Sequence, residues 1–263
     1  MRGALPMEAR GKTGLARHGR PGVAGIICAA LFALAAMAAP AGAADRPHPE
    51  AWLREAEAAY AGVTSYTTIF HKQQRVAGEL LPKETILLKF RKPSSFYMKW
   101  IESPYRGSEL LYAEGWNAGR ARVHRGGLLR FITHNLDPRD PGLMADNLRP
   151  FTSAGIGFLV DIVAINLRKA TRAGELEFFG RGPEQVYGRR TQVLEAVFPK
   201  EKSRDYDGHR FVINQDVESK ILVRIRVYDR DGQLVENYSY ENLVLGAPLT
   251  DADFDPKNPE YRF

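Results

Sequence analysis

His124, His134, Asp137 and Asp140 lie close in the chain and are of the types that bind divalent metals. A zinc-like site needs three or four such groups converging on one point. The ten-residue spacing of the two histidines offers no shared helical face, so no metal is expected there. Near the end, Asp251, Asp253 and Asp255 are spaced like the start of a calcium loop. Pro256 stands where that loop turns on glycine, and Arg262 where it needs glutamate, so calcium is not expected either. Nucleophilic chemistry has no foothold: G-x-S-x-G is absent, and the only cysteine is Cys28. Ser153 reads as a helix cap, and Gly155 with Gly157 lacks the third glycine and preceding strand of a phosphate cradle. His71 and His209 fall in strands, as surface or hydrogen-bonded residues. No catalytic residue, cofactor or metal is expected, and the chain reads as a non-enzyme.

The chemistry that remains is apolar. In FRKPSSFYMKW, residues 90–100, Phe96, Met98 and Trp100 share one face of an extended strand, and Tyr97 and Lys99 share the other. Phe70, Leu88 and Phe90 add bulk from neighbouring strands, and Phe158 and Ile162 from a helix. These seven residues, Phe70, Leu88, Phe90, Met98, Trp100, Phe158 and Ile162, are the candidate lining of an apolar, lipid-holding cavity. The competing reading is a solid core, because a small barrel is either packed with side chains or left open for one ligand.

Charge narrows the partners. The formal charge is +6, but residues 1–44 hold Arg2, Arg10, Lys12, Arg17 and Arg20 against Glu8 alone. The rest is close to neutral, which argues against nucleic acid. Residues 1–44 read as a signal peptide: a basic leader, the apolar run 23–39, then Ala41-Gly42-Ala43 before cleavage at Ala44 or Asp45. The rival is an uncleaved leader anchored in the inner membrane. Met7 is a second candidate start, and Cys28 reads as an apolar filler. Residues 45–263 form one expected exported domain without disulfides. Arg75, Lys83, Lys89, Arg91, Lys92 and Lys99 form a basic cluster: either a solvated strand face, or a contact for anionic headgroups or an acidic partner.

The elements that would position these residues follow from hydrophobic period. Residues 50–61 carry Trp52, Leu53, Ala56 and Tyr60 at helical spacing, with Gly62 as the stop. Period-two segments follow: SYTTIFHKQQRV, ETILLKFRKP, SSFYMKWIE, SELLYAEG and RARVH. Residues 125–150, with three prolines, three glycines and three aspartates, read as a long surface or lid loop. A helix apolar on most sides is expected from about Ser153 to Lys169, capped by Thr152 or Ser153. Strands resume with ELEFFG, QVYGRRTQVLEAVF, GHRFVINQ, SKILVRIRVYD and GQLVENYSYENLVL, with a hairpin at Asp231-Gly232. Phe254 reads as an anchor closing the sheet. With no helical crossovers, the class is mainly β (α+β): an antiparallel sheet of about ten or eleven strands that must curl.

Over about residues 50–256 this order of elements resembles the LolA/LolB-type envelope proteins and, more closely, an uncharacterised bacterial family of the same kind. The segments that carry the resemblance are SYTTIFHKQQRV, ETILLKFRKPSSFYMKWIESP, the mid-chain apolar helix, VYGRRTQVLEAVFPK, ILVRIRVYDRDGQLVENYSYENLVL and LTDADFDP. The resemblance implies a strongly curved, incomplete half-barrel with helices plugging its concave side, and the signal peptide implies a periplasmic location. In the carriers the interior takes acyl chains; in related sensor domains a partner protein is bound. The mid-chain insert is long for that family, so no ligand residues are carried over. The expected function is non-enzymatic binding or carriage of a lipid or acylated ligand by a monomer, with an envelope protein as a further partner. The alternative is a protein-interaction or sensor module with a filled core.

Overall fold

The computed structural model describes residues 47–127, 132–201 and 204–263. The proposed leader and Cys28 lie outside the described residues. Helix α1, Pro49–Ala61, begins where His48 Nδ1 accepts the Ala51 N–H, and Pro49 takes the first turn. It buries Trp52, Leu53 and Ala56. The strands are β1 (Ser65–Val76), β2 (Glu79–Leu80), β3 (Glu84–Arg91), β4 (Ser95–Trp100), β5 (Glu109–Ala113), β6 (Ala121–His124) and β7 (Thr133–Leu136). After helices α2 (Pro141–Met144) and α3 (Ile156–Ala173) come β8 (Glu177–Val186), β9 (Arg189–Val197), β10 (Arg210–Asp216), β11 (Leu222–Tyr228) and β12 (Leu234–Leu245).

All twelve strands join one antiparallel sheet in the order β7-β6-β5-β4-β3-β1-β12-β11-β10-β9-β8, with β2 paired to β1. The sheet is open and curved, and β7 and β8 are its free edges. The sequence foresees ten strand segments. The other two are the short β2 and β7, which lies inside the stretch expected to be a loop. QVYGRRTQVLEAVF is not one strand. Its first two residues end β8, and Tyr187-Gly188 turn with positive φ into β9.

Alternation decides the two faces. Tyr66 and Phe70 of β1, Ile86, Leu88 and Phe90 of β3, Phe96 and Met98 of β4, Leu110 of β5 and Tyr238 and Tyr240 of β12 are buried in the main core with α1 and α3. The opposite face of β4 and β5 carries Tyr97 and Leu111 in a second core with Phe254 and Tyr261. Tyr261 stacks on Tyr97 at 3.8 Å between ring centres. The last residues thus form a strap across the outer face, and Phe254 anchors it.

Helix α3 starts at Ile156, not Ser153, which lies in a 3-10 turn (Phe151–Ala154). Neither Thr152 nor Ser153 caps it. The Ile156 N–H donates instead to the phenol of Tyr66 at 3.0 Å, and the Tyr240 phenol donates to the Ala154 carbonyl at 3.0 Å. Two sheet tyrosines therefore complete the helix end from the sheet side. Burial holds the Tyr66 phenol far above its ordinary pKa, so it stays a neutral acceptor. Most of α3 is covered, as its composition requires, although Ile165 is 64% exposed.

Candidate functional site

Residues 141–154, comprising α2 and the turn before α3, lie as a lid over the core face of the sheet. Beneath them is a cavity of about 80 Å³. Phe70, Ile86, Met98, Trp100, Leu110 and Tyr238 form its walls, and Leu143, Pro150 and Phe151 come from the lid. Phe151 meets Phe96 and Tyr112 edge-on, at 6.2 and 5.3 Å.

Among the described residues, no backbone–backbone hydrogen bond joins this lid to a strand. Side chains tether it. Lys72 faces inward two residues after Phe70, and its ammonium bonds Glu84 at 2.6 Å and also the side-chain oxygen of Asn147 on the lid. Trp100 Nε1 donates to the other oxygen of Glu84 at 2.6 Å. The Leu148 N–H donates to Gln74 Oε1 at 3.2 Å, and Gln74 Nε2 donates to the Tyr238 phenol. Arg149 pairs with buried Glu236 at 3.0 Å and with Asp207 at 2.7 Å. Asp207 is held in turn by Asn166, the buried polar residue of α3. Burial alone would lower the pKa of Arg149; Glu236 and Asp207 outweigh it, so the guanidinium stays charged. Burial raises the Tyr238 phenol well above its ordinary pKa, and nearby Glu236 adds to the effect.

The structure brings Phe70, Met98 and Trp100 together on the cavity. The other four candidates do not line it. Phe158 packs edge-on to Tyr238 at 6.4 Å, beneath the Arg149 guanidinium at 5.4 Å. Phe90 stacks on Tyr66 at 4.8 Å, near the start of α3. Leu88 and Ile162 are buried core. Sequence reasoning missed the polar wall and the lid contacts. Lys72 and Gln74 were legible from parity, since they continue the face of Tyr66 and Phe70 along β1. The lid residues carry no periodic signal.

Beside the cavity lies an open cleft of about 410 Å³, which shares Trp100, Leu110, Leu143 and Asn147 with it. Leu143 and Asn147 belong to the lid and line both spaces. Among the described residues no group of His, Cys, Asp and Glu could hold a metal ion. His124 is buried 3.6 Å from Glu109, and His134 is exposed on β7. Asp137 holds a turn and Asp140 caps α2.

The basic cluster is largely absorbed by the fold. Lys89 bonds Asp253 at 2.9 Å and Arg91 bonds Asp251 at 2.7 Å, which pins the strap. Lys92 donates to the Tyr60 and Ala61 carbonyls, Lys99 lies 3.3 Å from Glu109, and Arg75 donates to the Leu234 and Gly78 carbonyls. Lys83 is exposed. The calcium-like aspartates Asp251 and Asp253 thus serve as partners for these cations. His71 is buried and bonds Glu241 at 2.7 Å. No helix among the described residues is long and apolar enough to cross a membrane.

An open antiparallel sheet, curved around helices and covered on its core face by residues 141–154, defines a half-barrel. The chain belongs to the family described as protein of unknown function DUF1571, which it matches over residues 63–263. No functionally curated protein matches it significantly. Among solved structures it is similar to a chain of the MucA/MucB complex of Pseudomonas aeruginosa, with 16% identity and a TM-score of 0.44; the match covers 79% of this chain and 60% of that one. The Mycobacterium tuberculosis lipoprotein LppX is similar at 14% identity and a TM-score of 0.47, covering 79% and 98%. A LolA superfamily protein of Nitrosomonas europaea is similar at 11% identity and a TM-score of 0.34, covering 80% and 98%. The chain therefore spans about 60% of the matched chain in the MucA/MucB complex.

Proposed function

We propose that this chain is a non-enzymatic binding or carrier protein for one acyl-bearing ligand of the bacterial cell envelope. The ligand enters the concave face beneath lid 141–154. The observation that carries this reading is an apolar cavity covered by a segment that side chains alone tie to the sheet. The covered space, about 80 Å³, is smaller than the roughly 300–1,000 Å³ of ordinary ligand sites, so binding requires the lid to move. Each methylene then buried contributes about 0.8 kcal/mol, enough for a few carbons to offset the lost tethers. The apolar run at residues 23–39 supports export to the periplasm, and the mass of the exported protein tests cleavage at Ala44 or Asp45.

Titration of the full chain with a fluorescent fatty acid is expected to saturate at one site. Met98→Trp, which fills the cavity from its wall, is expected to abolish that binding while the protein remains folded. A wild-type protein that binds no acyl probe would favour the second reading, a protein-interaction module with a filled core. The small volume under the lid is what favours that alternative.

A further inference from the structure

The open cleft beside the cavity has two chemically distinct parts. Its floor is apolar, built from Trp100, Leu110, Val123 and the lid residue Leu143. Its rim carries Arg106 and Arg125, both exposed. Neither arginine has an ion-pair or hydrogen-bonding side-chain partner among the described residues, unlike most of the basic cluster.

The fold brings together the two loops that carry these cations. Gly126, next to Arg125, lies directly on the backbone of Arg106 and Gly107. A Cβ on Gly126 would fall 2.1 Å from the Arg106 carbonyl oxygen, so the contact requires glycine. The Gly126 N–H donates to Ser108 Oγ at 3.0 Å and fixes the register of the two loops. Among the described residues the cleft has two acidic groups, of which Glu84 is neutralised by Lys72 and Asp146 is exposed and bonded only by a neutral phenol. Glu84 is bonded by Lys72 and Trp100, and Asp146 accepts from the Tyr105 phenol at 3.2 Å.

We infer that Arg106 and Arg125 form the headgroup subsite of this protein, and that its ligand is an acyl chain bearing an anionic carboxylate or phosphate head. This rests on the acyl-binding reading above and adds the charge of the head. A chain that passes Leu143 into the cavity leaves its head at the mouth of the cleft. There guanidinium groups offer planar, paired donors to an oxyanion.

The test is displacement of the uncharged dye N-phenylnaphthylamine from the full chain by palmitate, palmitoyl lysophosphatidic acid and monopalmitoylglycerol. The two anionic lipids are expected to displace it at concentrations about tenfold lower than the neutral one, the factor that one charge-assisted bond supplies at the low end of its range. The double variant Arg106→Gln/Arg125→Gln is expected to lose that preference and still take up the neutral lipid. Arg106→Lys/Arg125→Lys is expected to keep most of it. The tighter of the two anionic lipids identifies carboxylate or phosphate as the natural head. Equal displacement by all three lipids, or a preference unchanged in the Gln double variant, overturns the headgroup subsite and leaves the acyl site standing. Failure of dye and lipids alike to bind overturns the acyl site and the subsite with it.

Discussion

The ammonium of Lys72 sits 2.6 Å from Glu84 across the β1–β3 pair and also bonds Asn147 on the lid. One buried cation thus neutralises the cavity wall and holds the cover. Losing it leaves Glu84 with Trp100 as its remaining hydrogen-bond donor, in a site that is nearly closed to water. Lys72→Met is expected to destabilise the protein by about 3 kcal/mol, the lower range for breaking a buried pair from one side. Urea unfolding of wild type and variant measures this. A change within error would mean that the pair is not formed in solution.

Arg149 is the second tether, and it reaches both β12 and the loop containing Asp207. Arg149→Ala strands buried Glu236 and frees Asp207, so it is expected to lower global stability by about 3 kcal/mol and to speed hydrogen exchange of the lid amides around Leu143–Leu148 by a larger factor than that of the rest of the chain. Amides of β3 and β4 should accelerate only by the global amount. Exchange that accelerates uniformly across the chain would show that Arg149 supports global stability and not the lid.

The strap across the outer face should respond to acid. Burial alone would raise the Asp253 carboxyl, but the Thr250 N–H and the Lys89 ammonium outweigh it and hold the pKa below its usual value. A depressed folded pKa contributes stability that is full above the unfolded value of about 3.9 and is lost as pH falls through the folded one. Wild type is therefore expected to lose strap stability in acid below about pH 4, seen as rising fluorescence of the Tyr97–Tyr261 region or proteolysis after Leu249. Asp253→Asn should be weaker at neutral pH and flatter in acid. A variant with the wild-type acid profile would contradict the assignment.

Helices α1 and α3 meet where the Tyr60 phenol packs against Gly157. A Cβ at Gly157 would lie 2.5 Å from the Tyr60 hydroxyl oxygen. Gly157→Ala is expected to cost about 1–3 kcal/mol, as overpacking does, despite the better helix propensity of alanine. Gly157→Ala with Tyr60→Leu should recover part of the loss. Chemical denaturation of the single and double variants decides the point.

Period-two segments such as ETILLKFR were legible because one face is buried and the other is not, so alternation survives in the sequence. β7 was not legible. THNL has no apolar alternation, and it exists because β6 offers it a free edge. The start of α3 was displaced by three residues because its cap comes from Tyr66, distant in sequence, and not from a local hydroxyl. The face of Phe96, Met98 and Trp100 was read from alternation, and of these Met98 and Trp100 reach the cavity. The lid was expected only as an irregular stretch. Its position depends on Lys72, Gln74 and Glu236, polar partners that tertiary contact selects and local pattern does not.

The central claim is that the space under the lid holds an acyl chain. Its most direct test is to express the full chain, purify it without detergent and analyse an organic extract by mass spectrometry beside the native mass of the protein. The account predicts one acyl-bearing species per protein, absent from Met98→Trp. An empty extract, with a native mass equal to that of the polypeptide alone, would contradict it.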